Sequence, residues 1–347
     1  MKLLLTTDAV GGVWNFSLAL ARALPFEVHL ATMGRELSAA QRLEAADFPL
    51  HESEFPLEWM PEPWEGVDAA GQWLLQLESK IEPDLIHHGT LVQAHLPFRA
   101  PSLVTVHSCV LSWWLAVKGE QAPVEWDEYR NRIRRSLKAA SAIVAPSRWM
   151  LNAALRLYGK SGRNTRVIPN FTENPGAPAQ KEPFVFAAGR VWDKGKNISA
   201  LLEVAPQVSW PVHVAGEGSE IGHLPAAEIG KWYARAAIYA WPAKYEPFGL
   251  SVLEAAQHGC ALVLGDIPSL RENWEGAAHF VHSKEDLQGA IERLIADPAL
   301  RNELAARARA RAACFRPEVT VEGYSAAYAE VLSGIRPSIR PGVLCAS

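Results

Sequence analysis

Two charged segments in the second half of the chain carry residue types that could bind a diphosphate and a sugar. In the first segment, GRVWDKGKN, Arg190 directly follows an apolar run and Lys196 comes six residues later. Two cations at the mouth of a parallel sheet can neutralise the charge that develops on a departing phosphate. Lys194 competes with Lys196 for this role, and the alternative for the whole segment is an ordinary solvated basic loop.

The second segment, YEPFGLSVLEAAQHG, combines two carboxylates with the start of a helix. An apolar stripe at helical spacing predicts a helix that begins near Phe248 or Gly249. Gly249 would leave backbone N–H groups bare at the positive end of this helix, which suits a phosphate or a sugar hydroxyl. Glu246 precedes the helix and Glu254 lies further along it, so the two carboxylates can reach different groups of one ligand. The alternative is that Glu254 is a solvated helix glutamate and that Glu246 only interacts favourably with the helix dipole.

The first half of the chain offers weaker candidates. Gly11 and Gly12 follow the first predicted strand, where they can expose N–H groups to an anion or simply permit a tight turn. His107 ends the run SLVTVH and could bind a sugar hydroxyl, transfer a proton or be structural. His87 and His88 are interpreted as structural. The sequence shows neither a metal-ligand spacing nor a DxD motif for a metal-bound diphosphate.

Strand-like apolar runs alternate with amphipathic helices along the whole chain, which is typical of parallel α/β layers. Residues 171–183 contain three prolines and one glycine, and they predict a linker after which the pattern restarts. We therefore expect two α/β domains, 1–171 and 172–315. A helix over about 316–333 and a loosely ordered tail over 334–347 follow them.

The carboxyl ends of parallel strands are where open α/β sheets bind their ligands. This rule selects the positions of the candidates above, and it adds two glycine-containing turns. The positions are Gly11–Gly12, His107, Gly189–Arg190, Gly216–Gly218 and Ala243–Gly249.

Composition limits the classes of function. The chain has 347 residues, 49% hydrophobic and 21% charged, which fits about two folded domains and excludes a disordered protein. The balance of 34 Lys and Arg against 38 Asp and Glu argues against a nucleic-acid partner. Four dispersed cysteines fit a reducing compartment, and neither a signal-peptide pattern nor a bilayer-spanning apolar run is present. We expect a cytoplasmic protein, with peripheral membrane contact left open.

Taken together, these motifs resemble family 4 retaining glycosyltransferases, the group 1 glycosyl transferases. Glu246 and Glu254, with seven residues between them, match the E-x7-E motif of that family, and VTVH, VAPS, VIPN and VAGEG follow in the expected order. GGVW fits its N-terminal glycine loop. The resemblance implies the α/β GT-B fold, in which two Rossmann-like parallel-sheet domains face an interdomain cleft. The second domain would bind a nucleotide-sugar donor, the first an acceptor, and the last helix would pack back on the first domain.

The resemblance also implies roles for individual residues. Arg190 and Lys196 would hold the donor diphosphate, and Glu254 would hydrogen-bond the nucleotide ribose. Glu246 would contact hydroxyls of the transferred sugar, and His107 would lie beside that sugar. The expected catalytic set is Arg190, Lys196, Glu246 and His107. The remaining donor-binding candidates are Gly11, Gly12, Gly189, Gly216, Phe248, Gly249 and Leu250.

The expected reaction is transfer of a hexose from a UDP- or GDP-sugar to an acceptor hydroxyl, with retention of configuration. Because no carboxylate is assigned beside the anomeric carbon, a same-face substitution is favoured over a covalent intermediate. No cofactor or metal is expected, and the acceptor is a carbohydrate, a lipid-linked sugar or a small molecule. Three alternatives stay open: a sugar-nucleotide epimerase or phosphorylase, a nicotinamide-dependent oxidoreductase, which lacks its GxGxxG fingerprint here, and a non-catalytic binding protein.

Two regions depart from the family or match nothing specific in it. The stretch from Gly216 to Tyr233, which commonly surrounds the nucleotide base in the family, is shorter than usual. The sequence therefore does not indicate which base the donor carries. The first domain is rich in tryptophans that could stack on sugars, touch a lipid or belong to the core. They are Trp59, Trp64, Trp113, Trp114 and Trp126. The sequence does not indicate an oligomeric state.

Overall fold

The computed structural model of the chain describes residues 1–159, 164–173, 176 and 179–334. These residues divide into two compact units. The first contains residues 1–115 and 120–170 together with the helix that begins at Pro317, and the second contains residues 116–119 and 171–316. The predicted tail over 334–347 lies outside the described residues except for Gly334, as do residues 174–175 and 177–178 of the predicted linker.

Within the described residues, the first unit is built on a parallel sheet of seven strands in the order β3-β2-β1-β4-β5-β6-β7. The sheet order reverses direction between β1 and β4, and in parallel sheets such a reversal opens a crevice for ligands at the carboxyl ends of the strands. The strands are β1 (Lys2–Asp8), β2 (Glu27–Met33), β3 (Leu50–His51), β4 (Leu85–His88), β5 (Ser102–Thr105), β6 (Ala142–Ala145) and β7 (Asn164–Val167).

Helices cover this first sheet because its central strands are apolar on both faces. Leu3, Leu4 and Leu5 in β1 are at most 1% exposed, which is typical of a parallel sheet buried on two sides. Capping residues fix several helix starts, and Ser38 and Gln41 form a capping box at the second helix. The helices are α1 (Gly12–Ala23), α2 (Ala39–Glu44), α3 (Trp64–Ile81), α4 (Val110–Lys118), α5 (Asp127–Ala139) and α6 (Arg148–Tyr158).

The second unit has a parallel sheet of five strands, counted over the described residues, in the order β12-β11-β10-β8-β9. Its order reverses between β8 and β10. The strands are β8 (Glu182–Ala188), β9 (Val212–Ala215), β10 (Ala236–Trp241), β11 (Ala261–Gly265) and β12 (His279–Val281). The helices are α7 (Ile198–Val204), α8 (Ala226–Arg235), α9 (Leu250–Gln257), α10 (Pro268–Trp274), α11 (Lys284–Ala296) and α12 (Pro298–Ala312).

The last helix, α13 (Pro317–Ser333), packs in the first unit through buried polar contacts. The Tyr328 hydroxyl lies 2.8 Å from Nδ1 of His87, and the Tyr324 hydroxyl lies 3.1 Å from Oγ1 of Thr105. Thr105 Oγ1 in turn lies 2.7 Å from Nε2 of His87, so both ring nitrogens of this buried histidine are satisfied within the fold. The structural interpretation of His87 is therefore confirmed.

The predicted class of two parallel α/β layers is confirmed, with two small corrections to element ends. Strand β5 ends at Thr105, because its pairing with β6 stops at Val144, so His107 lies in the following loop rather than at the strand end. Strand β8 begins at Glu182, which pairs with Ala236 of β10, so the predicted linker ends earlier than residue 183. Within the described part of the chain, no helix has the length and apolarity needed to cross a membrane.

Candidate functional site

The loops that follow β8 and β10 meet where the order of the second sheet reverses. Backbone N–H groups of Lys244 and Tyr245 donate to the carbonyl of Gly195 at 2.9 and 3.0 Å. The Asn197 side chain donates from Nδ2 to the carbonyl of Pro242 at 2.9 Å. These three hydrogen bonds hold the predicted basic loop against the loop that carries the first predicted carboxylate.

These loops lie at the carboxyl-end edge of the second sheet, and the centre of this edge is formed by Lys196, Glu246 and Trp241. Lys196 donates from Nζ to Glu246 Oε2 at 2.7 Å, and Trp241 donates from its indole Nε1 to the same oxygen at 3.1 Å. The side chains of Lys196 and Glu246 are 18% and 11% exposed, whereas Lys194 is exposed to solvent. The structure therefore brings Lys196 rather than Lys194 to the carboxylate, and Glu246 is not a simple partner for a helix dipole.

The start of α9 lies directly after this carboxylate. Gly249 adopts a left-handed conformation with φ of 95°, and the helix begins at Leu250, one residue later than the sequence predicts. A side chain at position 249 would be strained in that conformation, so glycine is required there. Ser269 donates from Oγ to the Glu246 carbonyl at 2.6 Å, and Asn273 donates from Nδ2 to the Phe248 carbonyl at 3.2 Å. Side chains of α10 thus fix the backbone that leads into the helix, whose first N–H groups carry no side-chain cap.

Arg190 lies at the same edge but has a different partner. Its Nη2 donates to Asp193 Oδ2 at 3.3 Å, and its guanidinium lies 5.1 Å from the ring centre of the exposed Trp192. Asp193 also accepts the backbone N–H of Gly195 through Oδ1 at 2.8 Å. The Arg190 side chain is 36% exposed, so it is held in place yet open to an anionic ligand.

Glu254 lies in the second turn of α9 and is largely withdrawn from water. Burial raises the pKa of Glu254 to about 7, and an interaction with the Tyr233 side chain of α8 opposes part of that rise. The alternative of a solvated helix glutamate at this position is therefore wrong. A buried carboxylate that ionises near neutral pH can accept hydrogen bonds from a ligand's hydroxyl groups.

Two glycines allow the strand ends of the second unit to approach closely. A Cβ atom at Gly189 would lie 2.4 Å from Cη2 of Trp241, and one at Gly216 would lie 2.1 Å from the carbonyl oxygen of Gly189. Gly216 also has φ of 132°, a conformation that other residues rarely adopt. The fold itself therefore requires glycine at positions 189 and 216, because a larger residue would clash there.

In the first unit, Gly11 and Gly12 form the exposed start of α1. Gly11 has φ of 65° and is the N-cap of the helix, which has no side-chain cap. Asp8 accepts the Val10 N–H through Oδ1 at 3.0 Å, and the Gln41 amide donates to the Ala9 carbonyl at 3.0 Å. The loop is thus anchored on both sides while the helix N–H groups stay available to an anion.

His107 packs its ring against Phe16 of α1, with 5.2 Å between ring centres in an edge arrangement. Burial lowers the pKa of His107 to about 4. The imidazole is therefore neutral at pH 7, where it can exchange hydrogen bonds with a hydroxyl but holds no second proton to donate as an acid.

The tryptophans of the first unit divide between packing and exposure. Trp64 lies under the guanidinium of Arg132 at 4.7 Å, and Trp126 packs edge-on against Tyr129 at 5.5 Å. Trp59 is 43% exposed. Packing thus accounts for part of this group, while Trp59 presents an open aromatic face.

Sequence reasoning missed three side chains at the second unit's edge: Trp192, Asp193 and Trp241. Trp241 ends a buried strand, and its apolar neighbours favour a role in the core. Its position at the carboxyl end of the strand was the one feature of the sequence that could have indicated a role in the site. Across the described residues, no group of three or more His, Cys, Asp and Glu side chains is arranged to hold a metal ion. The edge offers Arg190, Lys196, Glu246 and Glu254 together with an uncapped helix start, and this set suits a diphosphate that carries hydroxyl-bearing groups.

Solved structures share this fold over nearly the whole chain. Sucrose-phosphate synthase from Thermosynechococcus elongatus matches with a TM-score of 0.80 at 19% identity, covering 96% of this chain and 100% of that chain. Alr3699/HepE from Anabaena, solved with UDP and glucose, matches with a TM-score of 0.76 at 18% identity and the same coverage. At such identities the likeness concerns the fold, and the expected GT-B fold is confirmed.

Curated relatives match shorter stretches. The serotype-specific mannosyltransferase WbdA of Escherichia coli is 31% identical over 110 residues, which cover 30% of this chain and 14% of that protein. D-inositol 3-phosphate glycosyltransferase of Thermobifida fusca is 29% identical over 119 residues, covering 33% of this chain and 27% of that protein. The matched stretches thus span about a quarter or less of each relative's length.

Two family models together account for most of the chain. The first, Glycosyltransferase Family 4, matches residues 10–173, and the second, Glycosyl transferases group 1, matches residues 170–311. The second match contains the basic loop, both carboxylates and the start of α9. The chain belongs to the family 4, group 1 glycosyltransferases.

Proposed function

We propose that this chain transfers a hexose from a UDP- or GDP-sugar to an acceptor hydroxyl, with retention of the anomeric configuration. The observation that carries the proposal is the Lys196–Glu246 pair, at 2.7 Å, directly before the uncapped start of α9. A cation and a helix N-terminus suit the diphosphate of a donor, and a fixed carboxylate suits the hydroxyls of its sugar. The HepE structure, which contains UDP and glucose on the same fold, supports this class of donor.

The second unit provides the donor-binding groups in this proposal. Arg190 and Lys196 bind the diphosphate and stabilise the charge that grows as the bond from the anomeric carbon to the phosphate oxygen breaks. Glu254 accepts hydrogen bonds from the nucleotide ribose, and Glu246 accepts them from the transferred sugar. Backbone groups near Gly249 add further donors. Gly189 and Gly216 permit the close approach of the strand ends that shape the site.

The sugar is transferred by a same-face substitution. The bond to the leaving phosphate breaks, the acceptor oxygen forms the new glycosidic bond on the same face of the sugar, and the acceptor proton passes to the leaving phosphate. This route requires no carboxylate nucleophile and no metal from the protein. The positive charge that develops at the anomeric carbon is accommodated next to the departing anion.

The first unit provides the acceptor side. Gly11 and Gly12 offer N–H groups at the start of α1, and His107 acts as a neutral hydrogen-bonding group toward the transferred sugar. The acceptor is a carbohydrate, a lipid-linked sugar or a small molecule. Exposed Trp59 offers an aromatic face of the kind that packs against sugar rings.

A thermal-shift panel tests donor binding first. UDP, GDP, ADP and TDP are added to the wild-type chain and to Glu254→Ala. A ligand at 100 times its Kd adds about 2.7 kcal/mol to stability, which is easily measured. We expect UDP or GDP to stabilise the wild type and to lose this effect in the variant. If no diphosphate and no intact nucleotide sugar stabilises the chain, the proposed function is wrong.

Product analysis then tests transfer. The donor identified above is incubated with candidate acceptors, and the anomeric configuration of the product is read from its NMR coupling constants. A product with the donor's configuration supports retention. Conversion of the donor without an acceptor would indicate an epimerase, and binding without turnover would indicate a non-catalytic protein. A trapped sugar adduct on an Asp or Glu side chain would contradict the same-face route.

A further inference from the structure

The carboxylate of Glu246 is held by a buried indole as well as by Lys196. Trp241 donates from Nε1 to Glu246 Oε2 at 3.1 Å, and the Trp241 residue is 2% exposed. A buried indole N–H usually finds a partner, and a carboxylate is a stronger acceptor than a neutral oxygen. This contact therefore joins the last residue of β10 to a side chain five positions later.

The Trp241 ring has little freedom to move. It stacks on Tyr239, with ring centres 6.0 Å apart and planes within 21° of each other. Gly189 lies against its outer edge, since a Cβ there would come within 2.4 Å of Cη2. Because the ring is held on one face by Tyr239 and at its outer edge by Gly189, the direction of its N–H, and with it the position of the accepting oxygen, is also fixed.

Both donors reach the same oxygen of Glu246. Lys196 Nζ and Trp241 Nε1 each lie within hydrogen-bond distance of Oε2, so neither of them uses Oε1. A carboxylate anchored through one oxygen keeps a defined orientation of the other. An acceptor that is oriented in advance binds a hydroxyl at a lower entropic cost than a mobile one.

We propose that Trp241 is a positioning residue that orients Glu246 toward the hydroxyls of the transferred sugar. This inference rests on the proposed function, because it takes Glu246 to contact the sugar. Trp241 acts through the carboxylate, so its effect is confined to ligands that carry the sugar. The diphosphate and the nucleoside are held by other groups and do not depend on the indole.

Trp241→Phe tests this proposal, because it removes the N–H donor and keeps an aromatic ring in the core. The second unit provides a matched control in Trp274, which is 1% exposed and whose Nε1 has no hydrogen-bond partner among the described residues. Trp274→Phe therefore removes a buried indole of similar size without removing a hydrogen bond. Binding of UDP and of UDP-glucose is measured for both variants and the wild type by titration calorimetry. GDP and GDP-mannose replace them if the wild type prefers guanine.

We expect Trp241→Phe to weaken binding of the nucleotide sugar on the order of tenfold, as loss of a hydrogen bond to a charged group does. Its Kd for the diphosphate alone should stay within about twofold of wild type, which also shows that the unit is folded. Trp274→Phe should leave both values near wild type. A fall in kcat/KM with the nucleotide sugar should accompany the loss in Trp241→Phe.

Two results would overturn the inference while the proposed function stands. In the first, Trp241→Phe binds the nucleotide sugar as tightly as the wild type. In the second, it loses affinity for the diphosphate and the nucleotide sugar by the same factor, which indicates a general structural role. If the wild type binds neither ligand of either pair, the proposed function itself fails, and this outcome is distinct from the other two.

Discussion

Lys196 donates a hydrogen bond of 2.7 Å to Glu246, although fifty residues of chain separate them. The bond joins the loop after β8 to the loop after β10, the two strands between which the order of the second sheet reverses. Both charged groups are largely withdrawn from water, so removing one leaves the other without its partner in a poorly solvated place. The pair thus links the cation that we assign to the diphosphate with the carboxylate that we assign to the sugar.

Lys196→Ala should lower turnover by orders of magnitude. Loss of one donor that stabilises developing charge costs roughly 3–4 kcal/mol in the transition state, which is a factor of hundreds in rate. The measurement is kcat with the preferred nucleotide sugar.

Lys194→Ala is the matched control, because Lys194 lies in the same loop and is exposed. This variant should keep nearly all of the wild-type turnover. If Lys196→Ala retains activity within a factor of a few, or if the two variants are equally impaired, the assignment of Lys196 to the diphosphate is wrong.

Transfer should continue after removal of divalent metal ions. The proposed mechanism places the leaving-group charge on Arg190, Lys196 and the start of α9, and it needs no metal bridge. Activity is measured after dialysis against EDTA and again after addition of manganese. Rates that agree within about twofold support the mechanism, since a factor of two is under 0.5 kcal/mol in the barrier. Complete loss of activity that manganese restores would contradict it.

Much of the fold could be predicted from the sequence because parallel strands buried on both faces appear as short apolar runs. Strand β3 was missed, since its two residues, Leu50 and His51, are too few to show a period. The motif around Glu246 and Glu254 could be located because helix starts and strand ends have local signals. The family resemblance already selected Lys196 over Lys194, and the structure adds the hydrogen bond from Lys196 to Glu246.

Contacts between distant segments could not be predicted in the same way. Trp241 looks like a core residue in the sequence, and its hydrogen bond to Glu246 depends on how the chain turns after β10. The raised pKa of Glu254 depends on its burial in the fold, which no local pattern shows. The neutral state of His107 likewise follows from its burial in the fold.

The Glu254 carboxyl should make stability depend on pH between about 4.5 and 7. Its pKa is about 7 in the folded chain against an ordinary value of 4.5, so in this window the folded chain keeps a proton that the unfolded chain has released. Stability therefore falls as the pH rises through the window. Glu254→Gln lacks this group, so its Tm relative to wild type should be higher at pH 8 than at pH 5.

Glu228→Gln serves as the comparison, because Glu228 is an exposed carboxylate of α8 paired with Lys231. Its Tm difference from wild type should be small and similar at both pH values. A Glu254→Gln difference that is equal at pH 5 and pH 8 would show that burial does not raise the pKa of Glu254.

Gly189→Ala should destabilise the second unit and impair turnover together. The new Cβ would lie 2.4 Å from Cη2 of Trp241, a ring that cannot move without releasing Glu246. Gly289→Ala is the contrasting variant, because Gly289 lies in α11 with no atom within 4 Å of the new Cβ. This second change should raise stability by about 0.5–1 kcal/mol through helix propensity, with unchanged turnover. Equal effects of the two alanines on Tm would contradict the steric argument.

Tyr328→Phe should destabilise the first unit by roughly 1–3 kcal/mol, because it leaves Nδ1 of the buried His87 without its hydroxyl partner at 2.8 Å. The loss is measured by thermal unfolding. Leu332→Ala, on the exposed side of the same helix at 45% exposure, should change stability by less than about 0.5 kcal/mol. If Tyr328→Phe unfolds like the wild type, the buried His87 contact does not anchor α13. If both variants lose the same amount of stability, the cause is helix propensity rather than this hydrogen bond.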